Sequence, residues 1–214
     1  MIVDIEQLKT NFDMSWIAKT GSSVISRAEA PFIKGKFQVK IAVSAEEQLD
    51  LYYNPMDTTW GTKLSDRLSF KLFKGTELIG KIVGKTKKIG LMKSYAYYEF
   101  LIGNDYYYGY EVGFGKAGLY FCIYHENNLI AIVEKMLRVV NYQDHYRVYM
   151  VSSDDLKIVF PFVVYYDVTS YGDIMEVAVK SVKVKYVKTI QKALIEKYNP
   201  DFIAKIKRMD GIKE

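Results

Sequence analysis

From Phe37 to Val43 the chain alternates apolar and polar residues (FQVKIAV), and the alternation returns in DLYY at 50 to 53. A period of two places one set of side chains on each face of a strand. A turn-rich connection, NPMDTTWGTK (54 to 63), precedes a regular series. RLSFKLF, ELIGKIV, SYAYYEFLI, YYYGYEV, GLYFCIY, LIAIVEKML, HYRVYMV and LKIVFPFVVYY follow one another, separated by KGT, GKTKKIG, GND, GFGKA, HENN, NYQD and SSDD. These are strand-and-turn signals, about ten to twelve strands in all. Connections this short leave no room for the crossovers of a parallel sheet, so neighbouring strands are expected to be antiparallel. A sheet of that many strands splits into a sandwich or closes into a barrel. Pro161 falls inside the last run and implies a bulge or an edge there.

Two segments depart from this period. Ile5, Leu8, Phe12 and Trp16 stand at helical spacing behind Asp4, a residue suited to an N-cap, and predict a short amphipathic helix over 4 to 18. Residues 1 to 36 thus read as a helical appendage. After YYDVTSYGD the chain runs about 25 residues without Gly or Pro, too long for a strand. That length predicts one helix from Asp173 to Tyr198, apolar on most sides in its first half and therefore enclosed. The reading is a domain over 37 to 198 and a basic tail over 199 to 214.

Composition agrees with a mainly β protein. Tyrosine supplies 19 of 214 residues, and half of the chain is apolar, enough to bury one sizeable core. The acids in MIVDIEQLKTNFD do not suit a signal peptide, and the chain is expected to be cytoplasmic. The net charge of +5 is gathered at the end: from Glu176 to Glu214 ten basic residues face five acidic ones. An excess of that kind suits a solvated face or an anionic partner.

The candidate chemistry is sparse. GFGKAG (113 to 118) spells G-x-G-x-x-G, but a strand, LYFCIY, follows where a phosphate site needs a helix N-terminus. Lys135 in AIVEK has the placing of a kinase lysine, yet the chain holds neither H-R-D nor D-F-G. The glycines read as a hairpin connection. His125 and His145, the two histidines, lack the pairing of a metal site, and Cys122 reads as a buried apolar residue. Glu46-Glu47 and Asp154-Asp155 are neighbours in sequence, which on a strand point apart, and Asp154-Asp155 reads as a turn. No catalytic residue, metal or cofactor is expected. Lys85, Lys87 and Lys88 in the predicted hairpin tip GKTKKIG, with Lys205, Lys207 and Arg208 in the tail, are the anion-binding candidates. Tyr95, Tyr97 and Tyr98 show no RNP signature, some of them are expected to turn inward, and no nucleic-acid partner is expected.

Many short antiparallel strands followed by one all-round apolar helix form an uncommon order. Together with ELIGKIVGKTKKIGLMKSYAYYEF (77 to 100), GLYFCIYHENNLIAIVEK (118 to 135), DHYRVYMVSSDD (144 to 155) and FPFVVYYDVTSYGD (160 to 173), it resembles the tubby C-terminal-domain-like superfamily. That superfamily includes phospholipid scramblases and LURP-one-related proteins. A strand pair of the form x-F-x-I, turn, x-I-A-x-I-x-K precedes a D-x-Y-x-V/I strand in such proteins, and Asp144, Tyr146 and Val148 fit that order. The resemblance implies a closed barrel wrapped around a buried C-terminal helix, with Lys180, Lys183 and Lys185 then needing to reach an end of the bore or an acid. Tubby proteins proper bind phosphoinositides through basic residues; no motif here matches those, and that site is not carried over.

The expected function is a non-enzymatic module peripheral to a membrane, binding anionic lipid headgroups or a protein partner. The alternative is a barrel, carrier or enzyme, that takes a small apolar ligand. The bore discriminates between them, because a helix filling it leaves no ligand cavity.

Overall fold

The structure is a computed structural model that describes residues 1–9, 13–31, 37–44, 47–53, 69–89, 93–171, 182–184 and 187–211. Twelve antiparallel strands close into a barrel, as expected. They are β1 (Ile2–Lys9), β2 (Met14–Thr20), β3 (Ser23–Ala30), β4 (Phe37–Ala42), β5 (Gln48–Tyr53), β6 (Phe70–Lys74), β7 (Glu77–Ile89), β8 (Lys93–Ile102), β9 (Asp105–Gly113), β10 (Leu119–His125), β11 (Asn128–Lys135) and β13 (His145–Met150). Consecutive strands are neighbours, and β1 closes the ring by pairing β13, with Ile5 opposite Tyr146. A separate two-stranded ribbon joins β12 (Arg138–Val140) to β14 (Val182–Val184).

The alternation decides which side chains face inward. Val3, Ile5, Trp16, Ile41, Leu51, Leu72, Phe100, Phe121, Val133 and Val148 share one core and exclude water almost completely. A barrel of eight strands can be filled by side chains alone, whereas twelve enclose a wider bore. That bore is occupied by α1 (Leu156–Tyr171), which lies in the same core as the inward side chains. Every residue of α1 from Ile158 to Val168 is buried, including Pro161. A helix about 10 Å across matches the space, and one apolar on all sides belongs there. Phe162 stacks on Phe100 at 4.6 Å, and Tyr165 meets Phe70 edge-on at 5.2 Å. Gly109 makes room for this packing, because a Cβ there would lie 3.1 Å from Phe100 and 3.2 Å from Phe162.

An enclosed helix is thus present, but the segment that forms it is LKIVFPFVVYY, expected as a strand. Its start is set by Ser152, whose hydroxyl accepts from Asp154 N–H while the Asp155 carboxylate accepts from Ser152 N–H. Asp154-Asp155 therefore opens the helix through this capping box, where a plain turn was expected. Pro161 sits at the sixth position of α1, where it removes one backbone donor. The helix expected over 173 to 198 is corrected in its described part: 182–184 is β14, and only Lys192–Ile195 (α2) is helical. Residues 172–181 and 185–186, with Lys180 and Lys185, lie outside the described residues, and Lys183 belongs to β14.

The helix expected over 4 to 18 is likewise corrected. Residues of β1, β2 and β3 complete the barrel, so this part of the predicted appendage belongs to the wall; Phe12 lies outside the described residues. The tail expected over 199 to 214 contains α3 (Pro200–Met209), capped by Asn199. It seals the outside of the barrel, with Phe202 and Ile206 in a second apolar cluster with Val112, Cys122, Ile132 and Tyr149. Among the described residues no helix is long and apolar enough to cross a membrane.

Candidate functional site

The outer wall between β7 and β10 carries the most distinctive surface. Outward positions alternate with the core residues, and here tyrosine fills them: Tyr95 and Tyr97 on β8, Tyr108 and Tyr110 on β9, Tyr124 on β10. All five are half-buried. Tyr97 stacks on Tyr110 at 6.1 Å and lies 6.4 Å from Tyr108, and Tyr110 meets Tyr124 edge-on at 5.8 Å. Tyr98 has the opposite parity and points inward, against Phe162 and Tyr166. Burial, with the nearby Tyr95 and Tyr108, pushes the Tyr110 phenol up to about 12. Tyr97 is raised further by burial and by Glu99. These hydroxyls remain protonated at physiological pH and can donate hydrogen bonds.

Cations border the tyrosines. The Lys85 ammonium pairs with Glu99 at 2.6 Å, and the same carboxylate accepts from the Tyr97 hydroxyl at 2.9 Å. Lys87 and Lys88 are exposed. Expected at a hairpin tip, all three instead lie on β7, opposite Tyr97, Tyr95 and Ser94, so Lys85 and Lys87 share the outer face while Lys88 takes the other parity near the strand's end. Lys197, not singled out by its sequence, lies over both Tyr110 at 4.8 Å and Tyr124 at 5.1 Å. Its backbone carbonyl accepts from the Tyr124 hydroxyl at 2.8 Å, which fixes it there. No local pattern announces this contact, since it depends on the chain folding back over β9 and β10.

The tail candidates stand elsewhere on the wall. Lys205, Lys207 and Arg208 are on α3. Lys207 lines a groove of about 780 Å³ with Arg147, Asp4, Met1 and Asp210. Arg147 pairs with Asp4 at 2.8 Å and the Met1 amine with Asp210 at 3.2 Å, so acids of the chain itself already meet cations in that groove.

The remaining motifs have structural occupations. In GFGKAG, Gly113 donates to Thr189 Oγ1 and Gly115 to the Val187 carbonyl, while Phe114 donates to Gly118. The amides of 113 to 115 are thereby bonded within the chain. A Cβ at Gly113 would lie 2.1 Å from the Val187 oxygen, which explains that glycine. His125 stacks on Tyr107 at 4.6 Å, and among the described residues no group of acids, histidines and cysteine is placed to hold a metal. Burial pushes the Cys122 thiol up to about 12, so it stays an unreactive thiol.

Inside the barrel, Lys135, Asp144, Tyr146 and Asp167 make one polar network with Gln7 and Trp16. Lys135 is buried and pairs with buried Asp144. Its ammonium also lies 4.8 Å from the Tyr146 ring centroid. Asp144 N–H donates to Gln7 Oε1 at 3.1 Å, and Gln7 N–H donates to the Asp144 carbonyl at 3.0 Å. The Tyr146 hydroxyl donates to Asp167 Oδ1 at 2.5 Å, and Trp16 Nε1–H donates to Asp167 Oδ2 at 2.9 Å. Through Asp167, α1 is tied to β2 and β13. This network ties the helix to the wall from within the core. No protein-family model, curated protein or solved structure matches the chain.

Proposed function

We propose that this chain is a non-enzymatic barrel module of the tubby and scramblase-like type that docks on an anionic membrane surface through its outer tyrosine wall. The observation that carries the reading is the pairing of five half-buried outward tyrosines with Lys87 and Lys197 on one side of the barrel, next to the exposed Lys88 at the end of β7. Tyrosine combines an apolar ring with a polar tip and is favoured at the headgroup level of a bilayer. Each lysine near an anionic surface adds about 1 kcal/mol of attraction. Lys85 contributes less, since Glu99 already neutralises it. The order of barrel strands and enclosed helix supports the family reading as architecture, and fold alone assigns no activity. The carrier alternative loses its basis because α1 occupies the bore that such a ligand would need.

Flotation with phosphatidylserine vesicles at low salt tests the proposal. The chain is expected to float with them, to float less with phosphatidylcholine, and to be released as salt shortens the Debye length below about 10 Å. The variant K87Q/K88Q/K197Q is expected to bind about tenfold more weakly or worse. Equal flotation with both lipids, or an unaffected variant, would refute the membrane reading and leave a protein as the partner of this wall.

A further inference from the structure

The wall parts between β8 and β9. β8 and β9 pair from Ile102 opposite Asp105 as far as Tyr98 opposite Gly109, and no further. Beyond that point β8 continues along β7 to Lys93, and β9 continues along β10 to Gly113. The segment 187–191 enters the gap: Thr189 N–H donates to the Gly113 carbonyl, and Gln191 Nε2–H donates to the Ser94 carbonyl at 2.5 Å. Beside this wedge lies a cleft of about 280 Å³. It is small by the standard of ligand pockets, which start near 300 Å³.

Its polar groups have a consistent sense. Glu111 reaches the cleft from the inner parity of β9, and one of its oxygens accepts from the Tyr166 hydroxyl of α1 at 2.8 Å. Burial raises its pKa, so it stands in a place that favours a neutralising partner. Gln191 is oriented by its bond to Ser94, which puts the NH₂ toward that carbonyl and the oxygen away from it. That oxygen is buried without a hydrogen-bond partner among the described residues. A buried carbonyl oxygen left in this way is costly and is relieved by a donor. The cleft is therefore lined by the Glu111 carboxylate and by Gln191, whose oxygen is covered in this arrangement, with Tyr98 as an aromatic wall and the exposed Lys188 beside them.

We propose that this cleft binds a small zwitterion: its primary ammonium group is held by Glu111 and Gln191, and its anionic end is met by Lys188. An ammonium carries three donors and a positive charge, matching two acceptors of which one is anionic. A quaternary amine has the charge but no N–H and cannot satisfy Gln191. The inference stands apart from the membrane reading, because a free solute and a lipid headgroup can both present this chemistry.

The test titrates the full chain by two-dimensional NMR with O-phosphoethanolamine, and in parallel with phosphocholine and inorganic phosphate. Phosphoethanolamine is expected to shift amides of 94–98, 109–113 and 187–191 saturably, and phosphocholine to bind about tenfold more weakly or worse. Glu111→Gln keeps the shape and an acceptor for Tyr166, and it is expected to lose about tenfold in affinity with an unchanged spectrum elsewhere. Lys188→Gln is expected to lose several-fold. Vesicles of phosphatidylethanolamine in phosphatidylcholine separate the two sources: a lipid ligand gives binding that Glu111→Gln abolishes, and a solute ligand gives none. No saturable shift with phosphoethanolamine up to about 10 mM, equal affinity for phosphocholine, or a folded Glu111→Gln with unchanged affinity would each overturn the proposal.

Discussion

Asp144→Ala is expected to destabilise the protein by about 3–5 kcal/mol, measured as a shift of the urea midpoint at constant slope. The substitution leaves the Lys135 ammonium in the interior without the carboxylate that neutralises it, and both residues are about 1% exposed. The second carboxylate oxygen of Asp144 is itself buried without a partner among the described residues. The pair therefore pays desolvation that its hydrogen bonds repay only in part, and replacing both members should cost far less than breaking it. The double variant Lys135→Met/Asp144→Leu is expected to recover most of the loss, because the Gln7 side chain is held by the backbone N–H of residue 144 and survives the change. A double variant as unstable as Asp144→Ala would show that the ion pair is not the source of the effect.

Phe162→Ala is expected to cost a similar amount, about 3–5 kcal/mol, for a different reason. The ring lies at the middle of α1 and touches Tyr98, Phe100, Phe121 and Tyr166, which come from β8, β10 and α1 itself. A cavity at that point cannot collapse, because the closed ring of strands fixes the distance between its walls. Denaturant unfolding checks the loss, and the same logic governs truncation. A chain ended after Gly172 keeps all twelve strands and α1 and is expected to fold, with an exposed patch at Val112, Cys122 and Ile132 where Phe202 and Ile206 had packed. A chain ended before Leu156 lacks the rod and is expected not to fold. Folding of that shorter chain would contradict the role given to α1.

The two variants mark what was legible in the sequence. Strands from Phe37 to Met150 were readable because one face is core and the other is solvent, but their number left a sandwich and a barrel both open, and the closed barrel around a helix was what the resemblance implied. The identity of the helix was not. A helix buried on every side has no polar stripe, so LKIVFPFVVYY shows no 3.6-residue period, and its valines and aromatics suit a strand equally well. The usable signal was the capping box in SSDD just ahead of it. At the other end of the chain, β1 was hidden by Gln7: an inward position carries a polar residue because Asp144 is there to bond it, and this breaks the alternation begun by Val3 and Ile5. Of the candidate site, the three lysines of β7 were visible as a cluster, but their face was not. Lys197 and Glu111 acquire their surroundings only when residues distant in sequence come together, over the tyrosines in one case and beneath the wedge of 187–191 in the other.

Hydrogen–deuterium exchange with and without phosphatidylserine vesicles addresses the functional reading most directly, because it reports where the surface is covered. Protection is expected on the β7–β8 and β9–β10 strand pairs and on residues 191–198, with α1 and β1 to β5 unchanged. Protection confined to the groove beside Lys207 and Arg147, or opening of α1 from the bore on vesicle binding, would contradict a barrel that meets the membrane with its tyrosine wall.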